Sequence, residues 1–75
     1  MKMKEGTDYM EISNNIKEIR EELGLRQNDV AKAIGCNVRT VGRIERGENA
    51  PSVEFTLRVS KYFDMLVEDV FHIVD

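Results

Sequence analysis

Apolar residues recur every three to four positions along most of the chain, which is the spacing of helices with one buried face. The pattern is sharpest at residues 27–46, QNDVAKAIGCNVRTVGRIER, where two short apolar stripes flank Gly35. The first stripe contains Val30, Ala31, Ile34 and Cys36, and the second contains Val41 and Ile44. This segment therefore predicts two short amphipathic helices joined by a tight turn that contains glycine.

The second of these helices is predicted to span residues 38–46. Asn37 suits the N-cap, because its side-chain oxygen can accept from a backbone N–H of the first turn, and Gly47 suits a left-handed stop. At about 100° per residue, one arc of roughly 140° carries Val38, Arg39, Gly42, Arg43 and Arg46. Val41 and Ile44 lie on the opposite side, so the pattern predicts an apolar anchor behind three outward arginines.

Three further helices are predicted, so the chain is expected to be all-α, with five helices. The first begins at a Ser13 cap and ends at Gly24, and the fourth runs from a Ser52 cap to about Tyr62. The fifth is short, at about residues 67–71. The β-branched residues that follow it can adopt an extended conformation.

Length and composition limit the class of protein. Seventy-five residues with a single cysteine predict one small domain without an internal disulfide, which suits the cytoplasm. No apolar run approaches the roughly 20 residues of a membrane span. We expect a flexible N-terminal tail at residues 1–11, the folded domain at 12–71 and a short C-terminal tail at 72–75.

Charge is unevenly distributed along the chain. The net charge is −3, which is unusual for a protein that binds nucleic acid. However, residues 26–46 hold five cations and two anions, a net charge of +3, whereas the remainder holds six cations and twelve anions, a net charge of −6. Because local potential governs contacts with phosphates, a basic patch on an acidic body is compatible with DNA binding.

The stretch IREELGLRQNDVAKAIGCNVRTVGRIERGENAPSVEFTLRVSKYFDMLVEDVF resembles the Cro and phage-repressor type of helix-turn-helix, the XRE family. The resemblance covers about residues 16–71. It depends on the combination, in register, of Gln27, Ala31, Gly35, Val41, Ile44, Glu45, Gly47, Pro51 and Phe71. It implies a compact lambda-repressor-like domain, with the helix-turn-helix formed by helices 2 and 3, and a sequence-specific DNA-binding transcriptional regulator.

The resemblance also implies roles for individual residues. Base edges are expected to face Val38, Arg39, Gly42 and Arg43. Contacts with the DNA backbone are expected from Gln27, Asn37, Thr40 and Arg46. Arg26 replaces the family's usual capping Ser or Thr, which weakens the cap but adds a cation beside the backbone. Arg20 and Glu45 match a structural ion pair between the first helix and the recognition helix.

The residue types expected to face base edges also suit recognition of bases on chemical grounds. An arginine fork matches the O6 and N7 acceptors of guanine and contributes ~1–3 kcal/mol of discrimination. Arg39 and Arg43 are one turn apart and can reach neighbouring base steps, and Val38 can meet a thymine methyl group. Gly42 has no side chain, so the helix backbone can approach the groove closely there.

The expected partner is double-stranded DNA, bound by a homodimer at a near-palindromic operator, with repression by promoter occlusion. The C-terminal part offers candidate interface residues: Phe55, Val59, Tyr62, Val70 and Phe71. The alternative is a protein-interaction module with the same fold, an antitoxin or antirepressor whose main partner is another protein.

Other chemistry is not indicated. Cys36 is expected to be a buried structural thiol, and His72 has no cysteine or histidine at ligand spacing. The sequence contains no pairing of nucleophile and base, no glycine-rich phosphate loop and no metal-ligand spacing. We therefore expect no enzyme activity, cofactor, metal or small-molecule ligand.

Overall fold

The structure is a computed structural model that describes residues 11–74. Its elements, in chain order, are β1 (Glu11–Asn14), α1 (Ile16–Glu22), α2 (Gln27–Ile34), α3 (Val38–Glu45), α4 (Val53–Tyr62), α5 (Val67–Val70) and β2 (Phe71–Val74). The predicted five-helix fold is confirmed, with the addition of a small sheet. The predicted tail at residues 1–11 lies outside the described residues, apart from Glu11.

The two central helices form the predicted pair. Gly35 closes the turn between α2 and α3 with a left-handed φ of 76°, which is accessible to glycine at little cost. Asn37 caps α3 as predicted, whereas the helix ends at Glu45, one residue earlier than predicted, with Arg46 as its C-cap.

The two ends of the described chain meet in an antiparallel sheet. The extended conformation expected for the β-branched residues after the fifth helix is confirmed in β2, whereas β1 and the pairing of the strands were not predicted. Ser13 pairs with His72 and Asn14 with Phe71. The prediction that Ser13 caps α1 is therefore wrong. The cap residue is Asn15, and the side chain of Asn14 satisfies the first turn instead, since its Oδ1 accepts from the Ile16 backbone N–H at 3.1 Å.

The end of the fifth helix also differs from the prediction. α5 stops at Val70, because the extended backbone of Phe71 begins β2. Both predicted domain boundaries, at residues 12 and 71, fall within the two strands. The connection from α4 contains Asp64 at φ 56°, a left-handed conformation that is uncommon for residues other than glycine.

The core lies between the helices, and it absorbs most of the residues that were predicted to form a dimer interface. Those that are at most 9% exposed are Phe55, Val59, Val70 and Phe71. Only Tyr62, which is 40% exposed, remains at the surface. The interface prediction is wrong for the other four because their side chains pack into the core. Two of them lie on α4, which has two apolar faces. The Phe55–Val59 face packs inward and leaves Val53 and Leu57 exposed.

Candidate nucleic-acid interface

α3 buries one side and presents the other to solvent. Val41 and Ile44 are 0% and 3% exposed and anchor the helix in the core. Arg39 and Arg43 are both exposed, and they lie one turn apart on the outer side, where Val38 is also exposed. At the start of the helix, Asn37 Oδ1 accepts from the Arg39 backbone N–H at 2.8 Å. The capped helix therefore presents two guanidinium groups, that of Arg39 from its first turn and that of Arg43 from its last.

An ion pair fixes the C-terminal end of α3 to α1. Arg20 Nε donates to Glu45 Oε2 at 2.6 Å and Arg20 Nη2 donates to Glu45 Oε1 at 3.1 Å. The two side chains are 12% and 3% exposed. Hydrogen bonding to Glu45 raises the pKa of Arg20. Because a two-point contact restricts rotation, this pair sets the angle between α3 and α1.

Two neighbours extend this ion pair. Gln27 Nε2, at the start of α2, donates to Glu45 Oε1 at 3.0 Å. Arg20 Nη1 donates to the Leu25 carbonyl at 3.3 Å, in the connection between α1 and α2. Glu45 therefore ties the beginning of α2 and the end of α3 to the same point on α1.

A second brace on α3 comes from Asn14, which was not among the predicted site residues. Asn14 Nδ2 donates to the carbonyl of Ile44 at 3.0 Å, in the last turn of α3, while its Oδ1 caps α1. One amide thus links β1, α1 and α3. Asn14 directly follows the predicted Ser13 cap. An asparagine at the start of a helix is a capping signal that could have identified its role toward α1, although not its contact with α3.

The turn between α2 and α3 is held from α4. Arg58 Nη1 donates to the Ile34 carbonyl at 3.0 Å, which satisfies one of the carbonyls that end α2. Arg58 Nη2 pairs with Glu54 at 3.0 Å. Helical periodicity does not tell which exposed cation of α4 reaches another helix, so Arg58 was not among the predicted site residues.

Gly42 was predicted to face base edges and Arg46 to contact the DNA backbone; in the structure the two residues lie against each other. Arg46 Nε pairs with Glu48 Oε2 at 2.5 Å, and the two side chains are 57% and 52% exposed. Gly42 is buried rather than open to solvent, because the side chains of Arg46 and Gln27 cover it. A Cβ atom added there would lie 3.1 Å from Arg46 Nη1 and 3.5 Å from Gln27 Oε1.

The other residues predicted to contact the DNA backbone lie at helix ends around α3. Arg26 is exposed at the N-cap of α2, where its backbone N–H donates to Asp29 Oδ2 at 2.8 Å. The arginine side chain cannot accept the reciprocal bond, so the capping box is half formed. Thr40 is half-buried and lines a groove between the α2–α3 turn and α4.

The two other side chains with reactive groups, Cys36 and His72, lie against the core and beside a polar side chain, respectively. Cys36 packs partly buried against the core, and burial raises the pKa of its thiol. His72 Nε2 lies 2.9 Å from Asn15 Nδ2. Within residues 11–74, His, Cys, Asp and Glu form no group of three or more that could hold a metal ion. None of the helices described has the length and apolar character needed to cross a membrane.

Comparison with known proteins supports one family. The helix-turn-helix family model matches residues 16–69. The uncharacterized HTH-type transcriptional regulator YgzD of Bacillus subtilis is 37% identical over 60 residues, which cover 80% of this chain and 91% of that protein. An uncharacterized HTH-type transcriptional regulator of Methanocaldococcus jannaschii is 33% identical over the same length, with the same coverage.

A solved structure with a similar fold is the restriction-modification controller protein C.AhdI from Aeromonas hydrophila. It superposes with a TM-score of 0.69 at 27% identity, covering 73% of this chain and 83% of that chain. A transcriptional regulator from Listeria innocua superposes with a TM-score of 0.72 at 26% identity, covering 81% of this chain and 57% of that chain. The overall fold is therefore shared with these proteins.

Proposed function

Because the chain belongs to the helix-turn-helix family of DNA-binding transcriptional regulators, which are not enzymes, we propose that it represses transcription as a homodimer at a near-palindromic operator. Each protomer inserts α3 into the major groove of one half-site. The bound dimer then occludes a promoter. The relatives are bacterial and archaeal, so the proposed place of action is the cytoplasm, where such cells keep their DNA.

The observation that carries this proposal is the outer side of α3. Arg39 and Arg43 are exposed one turn apart, on a helix that is anchored by buried residues and braced at its end by Glu45. An arginine fork matches the two acceptors on the major-groove edge of guanine. We therefore propose guanines at neighbouring steps of each half-site, with Val38, 41% exposed, against a thymine methyl group.

Phosphate contacts follow from the ends of the helices. Arg26 stands at the start of α2, where backbone N–H groups and the positive end of the helix dipole also favour an anion. We propose that Arg26, Asn37 and Thr40 position the domain on the backbone. We propose that Gln27, at the same end of α2, also contacts the DNA backbone while its side chain donates to Glu45.

Dimerisation needs a surface other than the one first predicted. α4 leaves Val53 and Leu57 one turn apart at 76% and 58% exposure, and Leu66 follows α4 at 65% exposure. These apolar side chains are the candidates for a two-fold contact. A dimer of this kind places its half-sites about 34 Å apart, one turn of the double helix.

The test selects bound sequences from random double-stranded oligonucleotides and then measures affinity for the selected and for random DNA. Arg43→Ala is expected to weaken binding to the selected site about tenfold or more and random DNA far less, because a base contact carries sequence information. Lys61→Ala is the matched control. Lys61 lines a groove with the C-terminal residues of α2, at the end opposite Gln27, so its loss is expected to leave sequence preference unchanged.

Three outcomes would each contradict part of the proposal. Equal losses for Arg43→Ala on selected and random DNA would argue against base readout. A failure to select any consensus would favour the alternative in which the main partner is another protein. Sedimentation that shows a monomer at high micromolar concentration would remove the homodimer.

A further inference from the structure

The guanidinium group of Arg46 occupies the place on α3 where residue 42 would normally carry a side chain. Residues four apart lie on the same helix face, and long side chains lean toward the helix N-terminus. A Cβ atom at Gly42 would lie 3.1 Å from Arg46 Nη1, which is closer than ordinary van der Waals contact. Arg46 thus leans back over α3 from its C-terminal end and lies across Gly42.

Two neighbours hold Arg46 in this orientation. Glu48 accepts from its Nε, which leaves both Nη groups available for other acceptors. Gln27 flanks the same position, since its Oε1 and Nε2 would lie 3.5 and 3.6 Å from the added Cβ. Gln27 is itself tied to the buried Glu45. The guanidinium therefore rests on a glycine, beside an anchored amide, with one nitrogen engaged by a carboxylate.

We propose that Arg46 is a specificity-determining residue, which reads a guanine edge from the position that Gly42 leaves empty. This inference depends on the proposed function, in which α3 enters the major groove. It changes the role of Arg46 from a backbone contact to a base contact. With Nε held by Glu48, the two Nη groups form a fork that fits the O6 and N7 acceptors of guanine.

The pair with Glu48 makes this role different from that of a mobile surface cation. An arginine that contacts phosphate contributes mainly charge, which a lysine also supplies. An arginine that reads guanine needs a planar fork in a fixed direction, and ordering it before binding reduces the entropy lost in the complex. Glu48 also cancels charge at this point, which lowers attraction to DNA of any sequence.

Arg46→Lys is the deciding variant, because it keeps the charge and removes the fork. The side chain is 57% exposed, so the substitution is not expected to affect folding. We expect a loss of guanine preference of about tenfold at one operator position, with little change in affinity for random DNA or in the dependence of affinity on salt. Arg43→Lys is the matched variant, expected to lose preference at a different position.

Two further variants test how Arg46 is held. Gly42→Ala adds a methyl group that displaces the guanidinium, so it is expected to lose preference at the same operator position as Arg46→Lys. The double variant is then expected to lose no more than Arg46→Lys alone. Glu48→Ala is expected to weaken that preference about threefold, with tighter binding to random DNA, because it frees the guanidinium and removes an anion.

The outcomes separate this inference from the proposed function. If Arg43→Lys changes the selected sequence and Arg46→Lys does not, Arg46 is a backbone contact and the inference is wrong. If neither variant changes it, base readout by α3 fails as a whole. If Gly42→Ala and Arg46→Lys alter preference at different operator positions, the two residues act separately. The proposal that Arg46 reads guanine from its place across Gly42 is then wrong.

Discussion

Two ion pairs at the C-terminal end of α3 involve neighbouring residues in opposite surroundings. Glu45 pairs with Arg20 through two contacts, with side chains only 3% and 12% exposed. Arg46 pairs with Glu48 through its Nε, and more than half of each side chain is exposed. The first pair joins two helices that are distant in sequence, whereas the second joins residues two positions apart.

The difference assigns separate tasks to the two pairs. A buried pair penalises any rotation of α3, because separating the charges leaves one of them without water or a partner. An exposed pair contributes little to stability, since both groups are well solvated when apart. We therefore expect the Arg20–Glu45 pair to set the orientation of the helix, and the Arg46–Glu48 pair to set the direction of one side chain.

The largest expected effect is the loss of the buried pair. Arg20→Ala leaves the Glu45 carboxylate without its cation, so the free energy of unfolding is expected to fall by about 3 kcal/mol. This is the low end of the range for a buried pair, because Arg20 lies at the edge of the core. Urea denaturation followed by circular dichroism measures the change.

A double variant tests whether the loss of stability comes from the unpaired charge. Arg20→Met combined with Glu45→Leu removes both charges and keeps apolar volume, so it is expected to recover most of the lost stability. If Arg20→Ala unfolds at the same urea concentration as the native protein, the buried pair is not the brace described above.

The next effect concerns the second brace on α3. Asn14→Ala removes the bond to the Ile44 carbonyl and the cap on Ile16, and it is expected to cost about 1–2 kcal/mol. Amide exchange in the last turn of α3 is expected to speed up as well. Ser13→Ala is the control, since Ser13 is an exposed neighbour in the same strand. Equal effects from both substitutions would assign the cost to the strand instead of the brace.

The elements near α3 could be predicted because their signals are local. Asn37, Gly35 and Ser52 mark helix ends within a few residues of the apolar stripes that they bound, and all three have the predicted role. The sheet carries no such signal. Its strands have four residues each, and their pairing, for example of Glu11 with Val74, depends on the whole fold in between.

In the candidate site, too, some features could be predicted from the sequence and others depend on the tertiary structure. Periodicity places Arg39 and Arg43 on the outer side of α3, and the family resemblance implies the pairing of Arg20 with Glu45. Contacts that cross between elements, such as Arg58 with the Ile34 carbonyl, need the tertiary arrangement. α4 has apolar residues on two sides, and helical spacing alone does not tell which of them faces the core.

A smaller effect is expected at the exposed pair. Glu48→Ala is expected to leave the thermal midpoint unchanged, because both partners are already solvated. Glu54→Ala is the matched variant, since Glu54 and Arg58 form another exposed pair at 72% and 54% exposure. Differential scanning calorimetry of the two variants measures this. A loss with Glu48→Ala as large as that with Asn14→Ala would erase the contrast between the two ion pairs.

The smallest expected effect is a change in the titration of Glu48. Hydrogen bonding to Arg46 lowers the pKa of Glu48, so the pair is complete above the ordinary glutamate value and is lost as the pH falls through the lowered pKa. In Arg46→Gln, the pKa of Glu48 measured by nuclear magnetic resonance is expected to rise toward the ordinary glutamate value, because the largest cause of its lowering is removed. An unchanged midpoint in that variant would mean that Arg46 does not hold Glu48. Because protonation of Glu48 removes this partner, acid is expected to release Arg46 from its fixed direction.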